Sequence, residues 1–148
     1  MKVEVATQLN CSAAKAWDEV QKSSLLLHVI WPLARIVSVD PQRFPERWTE
    51  GLTIQCRSYL LGLIPIGVRN LHFERIDQMN FQILTLESDP LVKRWNHTIS
   101  IEPLGQDRSI YSDVIDIDAG GLTVLVWAWA RWFYRHRQRR WRALAKSL

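Results

Sequence analysis

The sequence is poor in the features that mark secreted, metal-bound or membrane-spanning proteins. It holds two cysteines, Cys11 and Cys56, far apart and with no CxxC, which is no disulfide framework. Its start lacks the positive, apolar, small-residue pattern of a secretory leader and alternates instead. The longest uncharged apolar stretch, 119–130, is too short to span a bilayer. GxSxG, HExxH and Gly-rich phosphate loops are missing. His28, His72, His97 and His136 fall at no ligand spacing, so neither a metal nor a cofactor is expected. Together these absences read as a soluble protein of a reducing, cytoplasmic compartment.

Acid is missing from one place in particular. From Gly121 to Leu148 there are seven basic residues and no Asp or Glu. The 120 residues before them carry 12 basic and 15 acidic side chains, a net −3, so the overall +4 belongs to one segment. A nucleic-acid-binding surface would spread its charge, and no nucleic-acid partner is expected.

What is plentiful is tryptophan: eight in 148 residues, within a chain that is 47% hydrophobic. That length suits one domain, 1–148, able to bury a sizeable core. Val3, Val5, Thr7 and Leu9 alternate with Lys2, Glu4, Ala6 and Gln8, the pattern of a half-buried strand. Asn10 or Ser12 can cap a helix whose Ala13, Ala16, Trp17 and Val20 share a face. A second short helix follows over 25–30, ended by Pro32. Strand-like runs then occupy 33–39, 52–60, 66–77, 81–87, 94–101 and 109–118, separated by tight turns. Alternation puts Trp95, His97, Ile99 and Ile101 on one face, and Tyr111, Asp113, Ile115 and Ile117 on another. These strands are close neighbours in sequence, which predicts an antiparallel meander. Beyond Gly120-Gly121 a helix of about 26 residues is predicted, about 39 Å long and able to cover a curved sheet.

That last helix sorts its charge by face. At 100° per residue, Arg131, Arg135, Arg139, Arg142 and Lys146 share one side. Val126, Ala130, Phe133, Trp141, Leu144 and Leu148 lie opposite, within about 40° of one line, and Arg137 lies on that line. A charge centred in an apolar stripe must be paired or must face a polar cavity. Asp113, between Tyr111 and Ile115 on an otherwise apolar face, is its candidate partner.

The element order, with the segments Ser12–Trp17 (SAAKAW) and Phe133–Trp141 (FYRHRQRRW), resembles the helix-grip fold of the START-like, polyketide-cyclase-like (SRPBCC) superfamily over nearly the whole chain. The resemblance implies an α+β fold: a curved antiparallel sheet of about six or seven strands on a long C-terminal helix, with two short helices after the first strand. It also implies a deep apolar cavity between sheet and helix that takes a hydrophobic small molecule such as a lipid, sterol or polyketide.

On that reading Trp95, Tyr111, Ile115, Phe133 and Trp141 form apolar walls, and His97, Asp113 and Arg137 supply polarity. No catalytic residue is assigned. Two alternatives stay open. One is a cyclase or dehydratase using His97 or Asp113 as proton carrier. The other is an interaction module whose outer basic stripe, with Trp132, Val124 and Ala128 beside it, meets an anionic membrane surface or partner. A Cys56–His97 nucleophilic pair is conceivable, but an inert buried cysteine is the commoner arrangement. Oligomeric state is not set by the sequence.

Overall fold

Alternating strands and one amphipathic helix assemble as the patterning requires. The computed structural model describes residues 1–41 and 43–148. In chain order the elements are β1 (Lys2–Leu9), α1 (Ala13–Val20), α2 (Ser23–Ile30), β2 (Ala34–Ser38), β3 (Thr53–Leu60), β4 (Ile64–Asp77), β5 (Gln82–Ser88), β6 (Arg94–Pro103), β7 (Ser109–Asp118) and α3 (Thr123–Ala145). The strands form one antiparallel sheet ordered β1-β7-β6-β5-β4-β3-β2. The fold is α+β, with seven strands, two short helices after the first strand, and a long C-terminal helix.

Local chemistry sets the boundaries. Ser12, rather than Asn10, caps α1, its Oγ accepting from the Lys15 N–H at 3.3 Å. The predicted start of α3 tightens into a 3-10 turn at Gly120–Leu122. There Thr123 Oγ1 accepts from the Ala119 N–H and donates to the Gly120 carbonyl. Two register shifts, at Ser58/Tyr59 and Phe73/Arg75, interrupt the β3–β4–β5 arm. Bulges bend and twist strands, which curves this arm of the sheet. The first lies opposite Gly67, whose φ of 123° is open only to glycine and whose Cβ position faces Pro90 at 3.3 Å.

Burial follows the period of two. Trp95, His97, Ile99 and Ile101 of β6 are buried, as are Tyr111, Asp113, Ile115 and Ile117 of β7. Residues Ala130, Phe133, Tyr134, Arg137, Gln138, Trp141 and Ala145 of α3 cover them. The covered face is therefore turned roughly 40° from the predicted line, toward Gln138. Leu144, Leu148 and Val126 move to its half-buried margin. Four side chains fasten α3 to main-chain carbonyls: Gln138 Nε2 to Val5 (2.8 Å), Trp127 Nε1 to Lys2 (2.7 Å), His136 Nε2 to Trp31 (2.9 Å) and Arg140 Nε to His28 (2.9 Å). At another edge Trp17 of α1 stacks on Phe81 and donates to Gln78.

Candidate functional site

Sheet, α2 and α3 leave a cavity of about 190 Å³ between them. Most of its wall is apolar and aromatic: Trp48, Phe73, Trp95, Trp129, Phe133 and Trp141 all line it. Trp129 stacks on Phe133 with centroids 4.7 Å apart, and Trp48 on Phe73 at the same spacing. Such rings bury much area and hold their positions well.

Of the eight residues singled out from sequence, Trp95, His97, Tyr111, Phe133, Arg137 and Trp141 line the cavity together. Asp113 and Ile115 do not. Both are fully buried, in the layer behind the wall. From there Asp113 organises the wall. Its Oδ1 meets His97 Nε2 at 2.7 Å and accepts from the Tyr111 hydroxyl at 2.9 Å; its Oδ2 accepts from Gln138 Nε2 at 2.9 Å. His97 and Asp113 are diagonal across the β6–β7 ladder, because His97 pairs with Ile115 and Ile99 with Asp113. Burial pushes the Asp113 carboxyl pKa up. The His97 hydrogen bond, the Arg137 charge and the Gln138 hydrogen bond outweigh it, and the pKa is lowered. Burial and the adjacent Asp113 push the Tyr111 hydroxyl well up, so it is a donor, not a phenolate.

The predicted Arg137–Asp113 ion pair does not form. No carboxylate among the described residues lies within 4.0 Å of this guanidinium. The rotation of α3 is the cause, since it brings Gln138, one residue on, over Asp113. Arg137 is still buried, at 8% exposure, with its guanidinium 4.8 Å from the Tyr134 ring and 6.0 Å from the Phe133 ring. Burial works against its charge, but Tyr134, Tyr111, Asp113 and Glu87 outweigh that and its pKa is raised.

The structure adds a polar group that the sequence reading missed. Arg69 of β4 enters the same cavity, its Nε on Glu87 and its Nη1 on Asp89, both at 3.1 Å. Thr85 donates to the other oxygen of Glu87, and Arg69 lies 4.9 Å over the Trp95 ring. Arg69 shares the face of Leu71 and Phe73, so alternation was an available signal. Tyr134 was also missed; its hydroxyl accepts from Trp95 Nε1 at 3.1 Å. Cys56 lines the cavity with its thiol pKa pushed up to about 11 by burial and no His97 contact, so it stays a protonated thiol. The buried side-chain nitrogens and oxygens that lack any partner among the described residues are Ser58 Oγ, Arg69 Nη2, Arg137 Nε and Trp141 Nε1. All belong to residues lining this cavity.

Outside, Arg131, Arg135, Arg139, Arg142 and Lys146 are exposed as predicted, and Val124 and Trp132 are exposed near them. No helix is long and apolar enough to cross a membrane among the described residues. Nor do three His, Cys, Asp or Glu side chains gather there as a possible metal site.

No protein-family profile matches the sequence, and no curated protein matches it. Solved structures do match its shape. A START superfamily protein from Mycobacterium smegmatis is similar over 99% of this chain and 97% of its own, at 14% identity and a TM-score of 0.73. A Chromobacterium violaceum protein is similar over 97% and 96%, at 10% identity and a TM-score of 0.75. The di-domain ARO/CYC BexL of the BE-7585A biosynthetic pathway is similar over 99% of this chain and 45% of its own length, at 15% identity and a TM-score of 0.63. The chain thus has a START-like (SRPBCC) fold.

Proposed function

We propose that this START-like fold serves to bind a hydrophobic small molecule in the cavity between sheet and α3. The observation that carries the reading is the coincidence of two features. An aromatic-walled cavity exists, and every buried side-chain nitrogen or oxygen without a partner among the described residues belongs to a residue lining it. Trp95, His97, Tyr111, Phe133, Arg137 and Trp141 contact the ligand, while Asp113 and Ile115 form the supporting layer behind them. Similarity to BexL and to the START superfamily protein supports the same reading at the level of fold. The test is mass spectrometry of organic extracts from natively purified protein, with titration of an apolar fluorescent probe. A co-purified molecule, or one-to-one probe binding to folded protein, is expected. Absence of both sinks the proposal.

One observation favours a second reading, a cyclase or dehydratase. His97 faces the cavity with Nε2 held by a buried carboxylate, the orientation a proton-carrying imidazole needs. On this reading His97→Ala removes turnover of a ketide-like substrate without unfolding the protein. Equal loss of folding and turnover means a structural histidine.

A further inference from the structure

Resting on the cavity reading above, we propose that the molecule bound there is a small, flat carboxylic acid whose carboxylate sits against Arg137. Arg137 is a buried cation in a mostly aromatic wall; its Nε is fully buried with no acceptor among the described residues, and no hydrogen bond or ion pair joins its terminal nitrogens to them. A buried guanidinium left without acceptors is unfavourable, so its site is built for a group that arrives from outside.

The carboxylates in and behind the cavity wall are engaged elsewhere. Asp113 takes His97 and Tyr111 on one oxygen and Gln138 on the other. Glu87 and Asp89 hold Arg69. The guanidinium carbon lies 4.8 Å from the Tyr134 ring centre and 6.0 Å from that of Phe133, rings that pack against the cation but supply no carboxylate or carbonyl acceptor for its N–H groups. A carboxylate matches that fork with two parallel bonds. Trp141 follows four residues later on the same helix face, and its Nε1 is likewise without an acceptor.

The body of the ligand follows from the walls. Trp129–Phe133 and Trp48–Phe73 are near-parallel ring pairs, and such surfaces favour a flat apolar molecule. A volume of about 190 Å³ lies below the roughly 300–1,000 Å³ of drug-sized sites. One or two rings suit it, and a diacyl lipid does not.

The experiment is calorimetric titration of the full chain, near neutral pH, with 2-naphthoic acid and with methyl 2-naphthoate. The acid is expected to bind at least about tenfold more tightly. Arg137→Met is expected to abolish that preference while keeping ester binding, and Arg137→Lys, which keeps charge without the fork, to keep part of it. Ester binding equal to or tighter than acid binding in the unaltered protein overturns the carboxylate assignment and leaves the cavity reading standing. Binding of neither removes both. The wild-type comparison decides even if a variant does not fold.

Discussion

Two arginines enter one cavity from different walls and are treated differently. Arg69, on the sheet, is held by Glu87 and Asp89 at 3.1 Å each. Arg137, on α3, has two aromatic rings beside it and no carboxylate within ion-pair distance among the described residues. The first joins two strands and is part of what keeps them in register. The second makes no direct ion pair; it packs its stem and acts on Asp113 only through space. A cation that no carboxylate of the fold pairs directly is free to serve a ligand.

Stability measurements test that contrast. The largest loss is expected for Arg69→Met, about 3–5 kcal/mol in urea unfolding, because Glu87 and Asp89 are left mostly buried and unpaired. Asp113→Asn follows at about 2–3 kcal/mol, since a fully buried acceptor of three hydrogen bonds loses its charge. This variant also carries a pH signature. The Asp113 pKa is lowered in the fold, so its stabilisation is present above the unfolded value of about 4 and is lost as pH falls through the lower folded value. Between about pH 5 and pH 2, wild-type unfolding midpoints should fall more steeply than those of Asp113→Asn. Parallel slopes would show that the carboxylate is not stabilised as described. Arg137→Met is expected to cost least, under about 1 kcal/mol, or to stabilise. A cost equal to that of Arg69→Met would erase the distinction between the two arginines.

The sheet was more legible in the sequence than the helix. A strand puts side chains on alternate faces without drift, so Trp95, His97, Tyr111 and Asp113 could be assigned inward from their neighbours, and they are buried. On α3 large apolar side chains occur on several sides, Trp127, Trp129, Trp132 and Tyr134 among them. The centre of such a stripe is poorly defined, and one residue of phase exchanged Gln138 for Arg137 as the partner of Asp113. Arg69 and Glu87 escaped notice for another reason. Charged residues in a strand pattern read as solvated until register brings them together, and Glu87 lies opposite Leu71, diagonal to Arg69. Ring stacking and the unpartnered donors depend on side-chain geometry that no pattern encodes.

Four of the bonds that fasten α3 end on the carbonyls of Lys2, Val5, His28 and Trp31. Every residue type carries such a carbonyl. Half of each of these four attachments therefore survives a side-chain substitution at the acceptor residue, provided the backbone keeps its path. At these four points backbone holds the helix, so the side chains of the acceptor residues carry no part of the fastening.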